Sequence, residues 1–217
     1  MPTKLNLANV ELIGIHGYLN AGKDTLGRII KTVSKDDFPL TQLYEAKASY
    51  VQGFDTYAFA KPIKDACQII FGFAAAQLED RVLKELVDPR WGISPRKAMQ
   101  LLGTEFGRDM IAKDIWLRRA IQQHQQNMTQ GIGTVITDVR FENEAELIRS
   151  HHNAVMIFIV DPHREAPVAT HGSEAGVKFD PERDLLIIND KTKGHVALVS
   201  TVTSMMEIDT VTEWTTK

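Results

Sequence analysis

The chain has 217 residues, 43% of them hydrophobic and 24% charged, with a formal net charge of −3. That length fits one domain with a sizeable core, and the charge balance excludes a bulk electrostatic case for binding polymeric nucleic acid or an anionic membrane. A single cysteine, Cys67, excludes an intrachain disulfide and suits a reducing cytoplasm, and no apolar run approaches the roughly 20 residues of a membrane-spanning helix.

Residues 9–16, NVELIGIH, read as a short buried strand running into a glycine turn, without the layout of a signal peptide. Residues 23–34 then place Leu26, Ile29, Ile30 and Val33 on one helical face. DTYAFA (55–60) reads as a second strand, and Pro62 opens a helix through about Phe71 in which Cys67 is a packing residue. The charged stretch 72–94 reads as helix followed by loop. Ser94 and Pro95 form an N-cap and first helical position for a long helix, with Gly103 and Gly107 four apart on one face. A second helix follows over 114–128.

GIGTVITD (131–138) is the clearest buried strand of the C-terminal half, followed by a charged amphipathic helix, RFENEAELIRSHH (140–152). AVMIFIV (154–160) is another strand, and 161–183, polar and rich in glycine and proline, reads as a lid-like loop. DLLIIND (184–190) supplies a last short strand and residues 195–208 a closing helix, after which the tail frays. Strands alternating with helices, without antiparallel hairpins, argue for an α/β parallel sheet with helices on both faces.

The first motif with chemistry in it is GYLNAGKDT, Gly17 to Thr25. Its glycines permit backbone conformations and close approaches that a side chain blocks, and the loop and helix N-terminus aim N–H groups at an anion. Gly17, Asn20, Ala21, Gly22, Lys23, Asp24 and Thr25 are therefore candidate ATP-phosphate ligands, with Lys23 reaching the β- and γ-phosphates. Asp24 stands where such loops carry a hydroxyl for magnesium. A carboxylate there is either a metal ligand or simply a favourable anion in the first helical turn. The repulsion it would exert on phosphate without a cation favours the metal role.

The remaining residues narrow the use of the nucleotide. NDKT at 189–192 is not the NKxD guanine reader of GTP switches, and Asp138 lacks the following Glu typical of motor ATPases. Positive charge near turns and strand ends, at Lys61, Lys64, Arg90, Arg96, Arg108, Arg140 and Arg164, suits a kinase. Arg140 and Asp138 follow a strand where ligands collect in α/β sheets, although Arg140 has Glu142 or Glu144 as an alternative partner and Asp138 has a capping role as its alternative. Gln100 shares a helical face with Arg96. Arg96 and Arg108 lie about 120° apart on a regular helix, so a common ligand requires a bend, at Gly103 or Gly107. Trp91 and Trp116 read as packing residues, His151 and His152 as surface, and the spacing of histidine and cysteine along the sequence supports no zinc site.

The blocks GYLNAGKDT, FAKPIK, WGISPRKAMQLLGTEFGRD, DIWL, TDVRFENEAE, HGSE and IIND, in that order over residues 12–190, resemble the bacteriophage deoxynucleoside monophosphate kinases. The Gly-Lys-Asp-Thr loop is a trait of that family. The resemblance implies a P-loop NTPase-type fold in a single domain over 1–217, with a helical acceptor-binding region at about 72–128 and a short lid at 161–183. It implies transfer of the ATP γ-phosphate to a deoxynucleoside 5′-monophosphate, with Mg²⁺, for phage DNA synthesis in the host cytoplasm. Lys23, Arg108, Arg140 and Arg164 would then be catalytic. Lys61, Arg96, Gln100, Thr104 and Arg108 would bind the dNMP, and Asp24 and Asp138 the metal. His171, Ser173 and Glu174 match the family block without an assignable role, and a homodimer is a further expectation. The alternatives are another small-molecule P-loop kinase, or a non-catalytic nucleotide-binding regulator.

Overall fold

The computed structural model describes residues 10–35, 51–163 and 176–206. Arg164, His171, Ser173 and Glu174, most of the expected lid and the C-terminal tail lie outside them. The chain divides into two compact units, one formed by Met1–Thr56 with His124–Lys217 and the other by Tyr57–Gln123.

The first unit carries a five-stranded, all-parallel sheet flanked by helices. Its strands are β1 (Leu12–His16), β2 (Phe54–Tyr57), β3 (Gly133–Val139), β4 (Ala154–Val160) and β5 (Asp184–Ile188), in the order β2-β3-β1-β4-β5. The apolar runs become strands because β1 and its neighbours are covered on both faces, which suits continuous rather than alternating hydrophobicity. Alternate residues of β1 serve the two faces. Ile13 and Ile15 join Leu26 and Ile30 of α1 (Lys23–Lys35) and Leu198 and Val202 of α7 (Gly194–Met206) in one core cluster. Gly14 faces the other way, where an added Cβ would meet Met156 Sδ at 2.4 Å and Ile148 Cδ1 of α6 (Glu142–Ser150) at 2.5 Å.

A buried ion pair joins α6 to β5. Arg149 donates from Nε to Asp184 Oδ1 at 2.9 Å and from Nη2 to Oδ2 at 2.6 Å, with side-chain exposures of 3% and 0%. Its Nη1 also donates to Glu142 and Glu146, each at 2.8 Å. These partners hold the guanidinium firmly charged, the Asp184 hydrogen bonds most strongly.

The second unit is helical: α2 (Lys61–Phe71), α3 (Ala75–Glu79), a 3₁₀ turn at Leu83–Glu85, α4 (Pro95–Gln100), and the part of α5 (Ile115–Met128) up to Gln123. Pro62 lies in the first turn of α2, and Gly72 ends that helix at φ 63°. The stretch 72–94, expected as a helix followed by a loop, is instead broken into α3, the 3₁₀ turn and an antiparallel bridge, Asp88 to Ile93. Asp80 interrupts it by accepting from the N–H groups of Val82 and Leu83, each at 2.8 Å. Cys67 is fully buried beside Phe73, Leu78 and Ala98, and burial pushes its thiol up to about 11, as suits a packing residue.

Ser94 caps α4 as the sequence indicates, its side chain accepting from Lys97 N. Beyond Gln100, however, the helix changes winding, and Leu101–Ile111 is π-helical. Its end shows the wider i→i+5 spacing, with Ala112 N donating to Gly107 O at 3.0 Å. Both glycines of this stretch are closely packed. A Cβ on Gly103 would lie 2.9 Å from Ile63 Cδ1, and one on Gly107 2.6 Å from Trp116 Cζ2. Trp116 Nε1 donates to Gly103 O at 2.7 Å, so this indole packs against the helix. Trp91 is likewise anchored, donating to Phe71 O at 2.9 Å and meeting the Phe71 ring edge-on.

No described helix is long and apolar enough to cross a membrane.

Candidate active site

The glycine loop begins where β1 leaves the sheet. Pairing between β1 and β3 slips between Gly14 and His16, and His16 Nδ1 donates to Val139 O at 2.9 Å. Gly17 must be glycine here, because a Cβ would sit 2.5 Å from the Ile159 carbonyl oxygen. Ala21 N donates to Tyr18 O at 3.0 Å, Asn20 adopts φ 65° and Gly22 φ 106°, closing the loop before α1 starts at Lys23.

Lys23 curls over this loop, donating from Nζ to Gly17 O at 2.6 Å and Tyr18 O at 3.0 Å. Burial lowers its pKa most, Arg140 adds to the fall, and Asp24 and Asp138 oppose it. Lys23, Asp24, Asp138 and Arg140 therefore share one electrostatic environment at the C-terminal ends of β1 and β3. Asp24 is exposed in the first turn of α1 and Asp138 is half-buried at the end of β3. Two carboxylates flanking a phosphate-type loop are hard oxygen donors of the kind Mg²⁺ prefers, so the residues fit that ion.

Both acids of the alternative ion-pair reading of Arg140 make other contacts. Glu142 pairs with Arg149, and buried Glu144 accepts from the backbone N–H of Arg140 at 2.9 Å and of Phe141 at 3.2 Å, capping α6. The Arg140 side chain is exposed.

Sequence reasoning missed a clamp on the loop from the other end of the chain. Asn189 Nδ2 donates to Ala21 O at 2.8 Å, and Lys191 Nζ donates to Asn20 O. Lys191 also pairs with Asp161 at 3.2 Å, while Asp190 caps the 3₁₀ turn Lys191–Lys193 by accepting from Thr192 N. The only linear signal is the block IIND, whose partners lie about 170 residues away.

The second unit holds the residues expected to face an acceptor. Lys61 pairs with Asp65 at 2.6 Å, Arg96 pairs with Glu85, and Gln100 and Thr104 are exposed. Arg108 is half-buried in the π-helical stretch. The bend expected between Arg96 and Arg108 is replaced by a change of winding. Five steps at 3.6 residues per turn followed by seven at roughly 4.4 amount to about three whole turns. Arg96, Gln100, Thr104 and Arg108 thus form one row along the helix rather than a spiral.

A sequence model of deoxynucleotide monophosphate kinases matches residues 68–197. The chain belongs to that family. The matched span of this family member includes the Arg96–Arg108 row, Asp138, Arg140 and the Asn189 clamp, and starts after the glycine loop. A deoxynucleoside-5′-monophosphate kinase of Escherichia phage T5 is 26% identical over 227 aligned positions, covering 76% of this chain and 84% of the phage protein. A protein of Acanthamoeba polyphaga mimivirus with the provisional name deoxynucleotide monophosphate kinase is 31% identical over 151 positions, covering 64% and 77% respectively.

Proposed function

We propose that this family member transfers the γ-phosphate of ATP to deoxynucleoside 5′-monophosphates in a Mg²⁺-dependent reaction. The observation that carries the reading is Lys23, seated at the junction of a strained glycine loop and α1, in the joint field of Asp24, Asp138 and Arg140. Phosphoryl transfer needs positioned charge more than a covalent nucleophile.

In this reading Gly17, Asn20, Ala21, Gly22, Lys23 and Thr25 cradle the ATP phosphates, and Lys23 exchanges its carbonyl partners for β- and γ-phosphate oxygens. Asp24 and Asp138 would hold Mg²⁺, whose bound charge offsets that of the β- and γ-oxygens. Arg140 steadies the transferring group, with Arg164 as a lid arginine. Lys61, Arg96, Gln100, Thr104 and Arg108 bind the acceptor nucleotide, the arginines offering a planar fork to its phosphate. Residues 161–183 act as a lid over the reacting groups, limiting futile hydrolysis. The chain works as a single kinase domain with an acceptor-binding region at about 72–128, in the host cytoplasm and as a homodimer.

An ADP-release assay with ATP, Mg²⁺ and each nucleoside monophosphate in turn tests the proposal. Turnover is expected to depend on a deoxynucleoside monophosphate. ADP release at the same rate with and without every acceptor would overturn it.

A further inference from the structure

Three side chains far apart in sequence meet in the first unit away from the glycine loop. One ligand atom each from Glu11, His124 and His151 lies within 4.8 Å of the others. Glu11 immediately precedes β1, His124 lies on α5, and His151 caps the end of α6. The sequence reading of His151 as a surface residue is therefore corrected. His152 is exposed, but His151 is half-buried, and its Nδ1 is sealed from solvent without a hydrogen-bond partner among the described residues. A buried ring nitrogen left in that state requires a partner, and an ion is one.

The neighbouring contacts orient all three groups. His124, 3% exposed, engages Thr134 Oγ1 through Nδ1 at 3.1 Å, leaving Nε2 as its available nitrogen. Asn127 Nδ2 donates to the same Thr134 oxygen at 3.0 Å. Asn153 Nδ2 donates to Glu11 Oε1 at 3.0 Å, leaving Oε2. The rings of His124 and His151 stand edge to face with centroids 5.0 Å apart. Metal-bound histidines characteristically have the second nitrogen held by a hydrogen bond, as Thr134 holds His124.

We infer that Glu11, His124 and His151 form a three-ligand site for a divalent transition metal, zinc above all, that pins the start of β1 to α5 and the end of α6. Two imidazoles and a carboxylate match zinc and discriminate against magnesium, which prefers an all-oxygen octahedron. Ligand atoms around tetrahedral zinc lie roughly 3.4 Å apart, so binding requires the side chains to close in by up to about 1.5 Å. The rise of about 3.3 Å per strand residue separates Glu11 from Gly17 by roughly 20 Å, so this metal is distinct from the one proposed for ATP.

The test uses the full chain, stripped with a chelator, reloaded with zinc sulfate and desalted, with metal per chain measured by mass spectrometry. Retention of about one zinc per chain is expected, along with a rise in Tm of roughly 5 °C at a hundredfold excess over Kd. His151→Ala is expected to lower zinc affinity at least 100-fold and abolish the Tm shift, and Thr134→Val to lower affinity 10–100-fold. His152→Ala, one residue along, is expected to bind as the unaltered chain does. Cobalt in place of zinc is expected to show the intense visible bands of a tetrahedral site in the unaltered chain and to lose them in His151→Ala. If His151→Ala does not fold, Glu11→Gln supplies the same comparison. No zinc retained by the unaltered chain, or equal retention after His151→Ala or its substitute, would overturn the site. ATP-dependent turnover is unaffected by stripping zinc on this account, so the outcome is independent of the kinase assay.

Discussion

Asn189 and Ala21, 168 residues apart, are joined by a 2.8 Å hydrogen bond that ties the segment after β5 to the middle of the glycine loop. The same amide sits where a Gly22 side chain would be: a Cβ there would lie 2.5 Å from Asn189 Nδ2. Loop and clamp are thus matched, with Gly22 giving the space that Asn189 fills.

Asn189→Ala removes the donor and leaves the Ala21 carbonyl with one partner fewer. We expect a stability loss of about 1–2 kcal/mol and a KM for ATP several-fold higher, with a smaller change for the acceptor. Urea denaturation and steady-state kinetics with each substrate varied measure the two effects. An unchanged KM for ATP would separate the clamp from nucleotide binding.

Asp24 is exposed, so its removal disturbs little packing. Asp24→Ala is expected to leave Tm within a few degrees while lowering kcat by about 100-fold and shifting the Mg²⁺ requirement upward. A magnesium titration of turnover decides the matter. The same curve as the unaltered chain would reduce Asp24 to a helix-end anion.

Gly107 meets the indole of Trp116 so closely that one methyl group cannot be added without a shift. Gly107→Ala is expected to cost about 1–3 kcal/mol and to move Arg108 out of the row it shares with Arg96. The readouts are Tm and the KM for the acceptor, which should rise while the KM for ATP stays near its original value.

Arg149→Ala strands the buried Asp184 carboxylate. Breaking a buried pair from one side costs about 3–5 kcal/mol, and thermal or urea unfolding measures it. Arg149→Lys is expected to recover only part, since an ammonium cannot reproduce the paired Nε and Nη2 bonds.

His16 supplies a pH dependence. Burial lowers its pKa from 6.5, the hydrogen bond to Val139 O opposes this, and Lys23 adds to the lowering, with smaller contributions from Glu142 and Arg149. Its folded-state pKa lies below the unfolded one, so the unfolded chain binds the extra proton first as pH falls. Stability from this residue is complete above pH 6.5 and declines as the pH drops from there towards the folded pKa. Urea midpoints at pH 7.5 and 5.5 should differ, and His16→Asn should narrow the difference.

The glycine loop, the strands around it and the capped start of α4 were legible because each depends on neighbours in sequence: a glycine for a left-handed φ, a serine before a proline, an apolar run. The winding of Leu101–Ile111 was not. Its residues have ordinary helical character, and what accompanies the wider turn is Trp116 and Ile63 pressing on Gly103 and Gly107 from other helices. The sequence also suggested Glu142 or Glu144 as a side-chain partner for Arg140, whereas Glu142 pairs with Arg149 and Glu144 accepts from the backbone N–H groups of Arg140 and Phe141.

By itself the sequence determined an α/β chain with a phosphate-type loop, Lys23 and Asp24 at the head of α1, and blocks resembling one kinase family. Only the tertiary structure decided that Asn189 and Lys191 hold that loop, that Arg96 to Arg108 form a single row, and that Glu11, His124 and His151 meet. The difference is physical. Local motifs are set by backbone dihedrals and short-range hydrogen bonds, which adjacent residues dictate. The other three depend on how strands and helices pack, and no spacing along the chain encodes which distant side chains that packing brings together.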